Sequence, residues 1–105
     1  MAWLHLLVAS AAEIVWAFTL KASDGFTKPL MVAFNVAALL AAVWFLVQAM
    51  RTLPLGTAYA VWTGIGVVGA AVLGIVVLGE SASPLRLSAI ALIVTGVVML
   101  KLAEG

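Results

Sequence analysis

The chain has 105 residues, of which 67% are hydrophobic and 9% are charged, and its mean hydropathy is +1.32. A soluble domain is about 45–50% apolar and about 25% charged, and a core this small cannot hide so much apolar surface from water. With no cysteine, one histidine and a net charge of +1, the chain is a poor candidate for a metal site or a nucleic-acid-binding surface. The composition therefore indicates a membrane protein.

Short polar breaks divide the chain into four apolar segments, each about long enough to cross a bilayer as an α-helix. Spanning β-strands are not expected, because they need alternating polarity and closure into a barrel. No soluble domain or long linker is expected, so residues 1–105 are predicted to form a single four-helix transmembrane domain, an all-α fold. The predicted helices cover residues 2–20, 29–50, 57–78 and 84–102.

The first segment contains Glu13, the only acidic residue within any of the long apolar runs. A charge inside the bilayer costs about 2.5–3.5 kcal/mol on insertion scales, and such residues commonly carry protons or bind cations. The alternative is a neutral carboxylic acid that is hydrogen-bonded inside the bundle. Ser10 and Trp16 lie about 60° to either side of Glu13 around the helix. The Ser10 hydroxyl has two possible acceptors, the Glu13 carboxylate and a carbonyl of its own helix.

In the third segment, Tyr59 and Trp62 are three residues apart on one face of the predicted helix. Tyr O–H and Trp N–H need hydrogen-bond partners when they are buried, and aromatic faces attract cations. The Glu13 carboxylate is the obvious partner, so both rings are predicted to help form a cation site. The alternative is an aromatic belt at the membrane interface, which suits Tyr59, near the helix start, better than Trp62.

Small and polar residues mark candidate contacts between the helices. Four glycines of the third segment suggest close packing or a flexible point: Gly64, Gly66, Gly69 and Gly74. A narrow stripe on the fourth segment is a candidate helix–helix contact: Ala89, Leu92, Ile93 and Gly96. Most of the remaining polar residues inside the spans are interpreted as hydrogen-bonding between helices: Thr19, Asn35, Gln48, Ser88 and Thr95.

The loop charges give little preference for either orientation in the membrane. With four spans of alternating direction, Arg51 and Lys101 lie at one membrane face, and Lys21, Lys28 and Arg86 lie at the other. The positive-inside rule needs a clear bias of Lys and Arg, which is missing here. The chain is therefore expected to insert both ways and to form an antiparallel dimer. The alternative is a single orientation set by one loop charge or by a partner.

Over its whole length, the chain resembles the small multidrug resistance transporters. The resemblance rests on the length, the four spans, Glu13 in the first helix, the KASDGFT stretch at 21–27 and the LPLGTAYAVWTGIG stretch at 53–66. The EIVWA stretch at 13–17 is similar to the guanidinium-exporter branch, in which a tryptophan stands three residues after the glutamate. The drug-exporting branch usually has glycine there.

The resemblance implies an antiparallel, dual-topology homodimer in the plasma (inner) membrane. It implies exchange of protons for guanidinium or small guanidinyl cations at one central site. Glu13 is then expected to bind both substrate and protons, and Trp16, Tyr59 and Trp62 are expected to support it.

The chain departs from the guanidinium exporters at one position. They commonly have a small hydroxyl residue in the second helix at the position of Ala42, where it contacts the glutamate. Because Ala42 cannot donate a hydrogen bond, Ser10 is the candidate to supply that bond to Glu13.

Other functions remain open from the sequence. Within transport, the chain is a candidate exporter of quaternary ammonium or aromatic cations, or one half of a heteromeric pair. From another class, a non-transporting membrane scaffold subunit would use the same helices but has no need of Glu13. An enzyme is not expected, because no nucleophile–base pair or metal-ligand set is recognisable, and no cofactor is predicted.

Overall fold

A computed structural model describes residues 1–104, and that part of the chain contains four α-helices and no β-strand. These helices are α1 (Ala2–Ala22), α2 (Pro29–Ala49), α3 (Leu55–Val76) and α4 (Pro84–Glu104). All four are long and apolar enough to cross a membrane. The predicted set of four apolar helices is therefore confirmed, and each observed end lies within two residues of the expected one.

Local chemistry explains where the helices begin and end. The Ser83 hydroxyl accepts a hydrogen bond from the Arg86 backbone N–H at 3.2 Å, which caps the start of α4. α3 ends before Gly79, which has a φ of +71°, a conformation that glycine adopts easily. α3 also begins two residues earlier than predicted. Its first turn includes Gly56 and directly follows Pro54. The first N–H groups of a helix have no partner within it, so a proline, which lacks the N–H, is tolerated at this place.

The helices lie side by side in the order α2, α1, α3, α4 and form a flat bundle with Cα extents of 42 × 35 × 16 Å. α1 packs on both α2 and α3, whereas α4 packs on α3 at the edge. The buried apolar core is a small cluster from the first three helices: Leu6, Ala9, Leu46, Ala49, Ala58 and Val61. Most of the large apolar side chains remain on the outer surface, as expected for helices that face lipid.

The two ends of the bundle carry different charged groups. Lys21 and Arg86 line one cavity at one end. Met1 and Arg51 line another cavity, and Lys101 lies 4.6 Å from the centroid of the Trp3 ring. The fold thus separates the loop charges into the two groups that four spans of alternating direction require.

Candidate functional site

Glu13 lies where α1 faces α3, directly against Gly66. A Cβ atom built on Gly66 would overlap the Glu13 carboxylate, and one built on Gly69 would overlap the side chain of Ile14. Glycine is therefore needed at both positions for α1 and α3 to approach this closely. The sequence suggested either close packing or a flexible point at these glycines, and in the structure Gly66 and Gly69 allow close packing.

The Glu13 carboxylate lacks a complete set of hydrogen bonds. The residue is half-buried, and its Oε2 is a buried atom without a hydrogen-bond partner among residues 1–104. Leaving a buried acceptor without a donor costs about 1–3 kcal/mol, and more if the group is charged. A proton or a cation rich in N–H donors would remove that cost. The Glu13 Oε2 is therefore available to accept a hydrogen bond or a proton.

Tyr59 and Trp62 extend the same face of α3 toward its N-terminus. Their rings stack with centroids 5.6 Å apart and an interplanar angle of 28°. The Trp62 indole Nε1–H donates to the Ala9 carbonyl at 3.2 Å, one turn before Glu13 on α1. The indole N–H thus bonds the α1 backbone and not the carboxylate that the sequence suggested. Tyr59 remains 55% exposed, so the aromatic stack opens at the surface of the subunit.

Ser10 is fully buried, and its hydroxyl donates to the Leu6 carbonyl at 2.8 Å. Of its two possible acceptors, it therefore uses the helix carbonyl four residues back, which is always within reach of a serine inside a helix. The predicted hydrogen bond from Ser10 to Glu13 is not formed in the single subunit. Ala42 is also buried, at 1% exposure, and its methyl group offers no donor.

Trp16 lies one turn after Glu13, is half-buried, and is tied to α2 through its backbone. Asn35 of α2, which is only 5% exposed, donates its Nδ2–H to the Trp16 carbonyl at 2.8 Å and to the Thr19 hydroxyl at 3.2 Å. The Thr19 hydroxyl donates in turn to the Val15 and Trp16 carbonyls. These bonds fix the stretch of α1 that carries Trp16.

The interpretation of the polar residues as interhelical holds for Asn35 and Thr19 but was wrong for others. The hydroxyls of Ser88 and Thr95 donate to carbonyls of their own helix. Both residues are exposed on α4, so within the subunit each hydroxyl uses the carbonyl four residues back, which is always in reach.

Sequence reasoning passed over Thr63. Its hydroxyl is buried without a hydrogen-bond partner in the described chain, as is the Glu13 Oε2. Thr63 lies about 60° around α3 from Gly66. The sequence contained a signal for Thr63: its hydroxyl lies on the same side of the predicted third helix as Trp62 and Gly66.

The chain is similar to known proteins over most of its length. The family model described as Small Multidrug Resistance protein matches residues 1–93. A guanidinium exporter of Citrobacter freundii and one of Salmonella typhimurium are each 54% identical to the chain over 103 residues, which is 98% of both sequences. A guanidinium exporter of Escherichia coli strain K12 is 52% identical with the same coverage.

Proposed function

This chain belongs to the small multidrug resistance family, and on that premise we propose that it is a proton-coupled antiporter that exports guanidinium and small guanidinyl cations. It is a multi-pass protein of the inner membrane, with four helices of spanning length. The observation that carries the proposal is the Glu13 carboxylate, whose buried Oε2 lacks a donor in the described chain. The relatives that cover 98% of this chain are named guanidinium exporters.

The chemistry follows from the shape of the ligand. Guanidinium is planar and presents paired N–H donors that fit a carboxylate in bidentate fashion. A proton satisfies the same oxygens, so proton and cation exclude one another at Glu13. If only the loaded protein changes its open side readily, this exclusion couples export of the cation to entry of protons. Trp16, Tyr59 and Trp62 bound the site with aromatic faces, which attract cations.

The site needs a second subunit, and we place that subunit antiparallel to the first. Tyr59 is 55% exposed beside the site, so a partner is needed to exclude lipid and water from the bound cation. On α4, Leu92 is 74% exposed and Gly96 has open space beside its Cα. This stripe is the proposed contact between subunits. The nearly balanced loop charges support insertion in both orientations, and an antiparallel pair makes the inward-open and outward-open states near mirror images.

The direct test is to reconstitute the pure protein into lipid vesicles and to measure guanidinium and proton fluxes together. Guanidinium added on one side should drive proton movement in the opposite direction. Glu13→Gln keeps the side-chain volume but removes the charge and the titration, so this variant should remain a folded dimer without coupled transport. Wild-type rates from Glu13→Gln would refute the central role of the carboxylate.

The same vesicles separate the alternative functions. Proton-coupled transport of quaternary ammonium without guanidinium transport would assign the chain to drug export. If the chain is inactive alone but active with a second family member, it is half of a heteromeric pair. No flux under any of these conditions would indicate a non-transporting subunit.

A further inference from the structure

A second carboxylate lies at one end of the bundle and is paired with a guanidinium group of the protein itself. Glu80 lies in the loop between α3 and α4, and Arg86 lies in the first turn of α4. The Arg86 Nη2–H donates to Glu80 Oε1 in a salt bridge. The Arg86 and Glu80 side chains are 35% and 40% exposed, so solvent reaches both partners and the pair is exchangeable.

Besides the charge of its carboxylate, the surroundings of Glu80 also favour binding of a cation. A Cβ atom built on Gly74 would overlap the Glu80 carboxylate, so the carboxylate rests directly on the last turns of α3. The Glu80 backbone N–H donates to the Gly74 carbonyl at 2.9 Å and holds the loop in this position. A helix C-terminus carries partial negative charge. The carboxylate and the helix end therefore both attract a cation to the same place.

This ion pair borders a cavity of about 300 Å³ between α1 and α3. The lining also includes Ala17 and Ala70. Ala17 lies one turn after Glu13 on α1, and Ala70 lies one turn after Gly66, the residue against the Glu13 carboxylate. The cavity thus extends from the Glu80–Arg86 pair to within one helical turn of the central carboxylate.

We propose that Glu80 is an outer binding position for guanidinium, at which the free ion displaces the guanidinium group of Arg86. The inference rests on the proposed function, because it concerns the same substrate on its way to or from Glu13. The exchange replaces one guanidinium–carboxylate pair by another of the same chemistry and leaves the charge of the carboxylate balanced. Displacement of Arg86 also breaks the salt bridge between the loop and α4, which frees the Arg86 side chain from the border of the cavity as the ion arrives.

Lys21 lowers the affinity of this outer position for a free cation. Its side chain lines the same cavity, so two fixed cations, Lys21 and Arg86, compete with a free cation near one carboxylate. The Glu13 carboxylate has no salt bridge in the described part of the chain. Guanidinium therefore leaves Glu80 readily and binds more tightly at Glu13. In an antiparallel dimer, one such outer position faces each side of the membrane.

The test compares Glu80→Gln with Arg86→Gln, because both variants break the same ion pair. If Glu80 is an outer binding position, the two variants should change the KM for guanidinium transport into vesicles in opposite directions. Loss of the carboxylate should raise KM about two- to five-fold, the scale of one exposed charge pair. Loss of the competing arginine should lower KM by a similar factor. The defect of Glu80→Gln should shrink at saturating guanidinium and at high ionic strength.

The matched control is Glu104→Gln, which removes a carboxylate at the opposite end of the bundle. Glu104 accepts a hydrogen bond from the Thr57 hydroxyl at 2.8 Å and does not line the cavity. Its KM should equal that of the wild type. If Glu80→Gln and Arg86→Gln raise KM equally, the pair only fastens the loop and the proposal is overturned.

A binding measurement separates failure of this inference from failure of the proposed function. Guanidinium is titrated into Glu13→Gln in lipid bicelles, with the backbone amide signals of residues 79–81 followed by NMR. These signals should shift at millimolar guanidinium and should stop shifting when Glu80→Gln is added to Glu13→Gln. Absence of the shift in Glu13→Gln overturns the outer position, even if the wild type transports guanidinium. A shift with no wild-type transport supports the outer position and contradicts only the proposed function.

Discussion

The two sides of α1 differ in how completely their polar groups are satisfied. Toward α2, Asn35 donates to the Trp16 carbonyl and the Thr19 hydroxyl. Toward α3, the Glu13 carboxylate lies against Gly66 with its buried Oε2 unpartnered in the described chain. The α1–α2 contact therefore contributes stability. The α1–α3 contact leaves one buried acceptor of the single subunit without a donor, a cost that the proposed proton or cation would remove.

The comparison also explains why the two contacts use different small residues. The buried face of α2 includes Ala38 and Ala42, whose methyl groups fill the space between the helices. The buried face of α3 includes Gly66, where a methyl group would occupy the place of the Glu13 carboxylate. Glycine is required on α3 where a side chain of α1, Glu13 or Ile14, lies directly against the α3 backbone.

The largest effect is expected from Gly66→Ala, which forces a methyl group onto the Glu13 carboxylate. Overpacking of this kind costs about 1–3 kcal/mol, and here the displaced group is the carboxylate proposed to bind the cation. Guanidinium binding to the purified protein should weaken by about tenfold or more.

Gly69→Ala is the matched control, because its methyl group meets the Ile14 side chain and not the carboxylate. It should lower stability and leave guanidinium affinity closer to that of the wild type. Equal loss of affinity in both variants would mean that helix spacing alone controls the site.

The next largest effect is that of pH on guanidinium binding. Proton and cation are proposed to use the same carboxylate, so apparent affinity should fall as pH falls. Once Glu13 is mostly protonated, each further pH unit should lower the affinity about tenfold, because the ionised fraction falls by that factor. Isothermal titration across mildly acidic to mildly alkaline pH measures this. A flat profile would rule out direct competition at Glu13.

Trp16→Gly tests whether the α2-anchored part of α1 also selects the substrate. In the proposed site, the indole would either donate to the carboxylate, a bond that the single subunit does not contain, or close the side that a bulky cation would fill. Its loss should weaken guanidinium transport by about 1.5–3 kcal/mol, the value of a hydrogen bond to a charged group, and should increase transport of larger hydrophobic cations. An unchanged ratio of guanidinium to quaternary ammonium transport in a folded variant would remove Trp16 from the site.

Asn35→Ala should lower stability more than selectivity. It removes two hydrogen bonds between α1 and α2, and such bonds in membranes are worth about 1 kcal/mol. Thermal unfolding in detergent should show that loss. Thr95→Val is the control, because the Thr95 hydroxyl bonds only its own helix and its loss should have almost no effect. A large change of substrate preference in Asn35→Ala would contradict the view that the α1–α2 contact serves stability and the α1–α3 contact serves binding.

The smallest expected effect concerns orientation in the membrane. With nearly balanced loop charges, a tag at the C-terminus should be accessible from both sides of the membrane in a population. Two lysines added beside Arg51 should bias the population toward one orientation and reduce activity when the chain is expressed alone. Labelling of the wild type from one side only would favour a parallel or heteromeric assembly.

Part of the site was predictable because it depends on residue type and helical periodicity. Glu13 stands out as the only acidic residue inside an apolar run, and Tyr59 and Trp62 share one face of α3 in both prediction and structure. The hydrogen-bond partners were less predictable. Each donor can reach either its own helix or a neighbouring one, and the choice depends on distances that the sequence does not contain.

The sequence by itself determined four apolar helices and a lone carboxylate inside the first one. A helix in lipid must satisfy its own backbone hydrogen bonds, so length and apolarity suffice to identify it. Only the tertiary structure decided that Ser10 bonds Leu6, that Trp62 bonds Ala9, and that Glu13 is left without a full set of partners. The physical reason is the close approach of α1 and α3, which brings the Ala9 carbonyl to the Trp62 indole while Gly66 offers the carboxylate no side-chain donor.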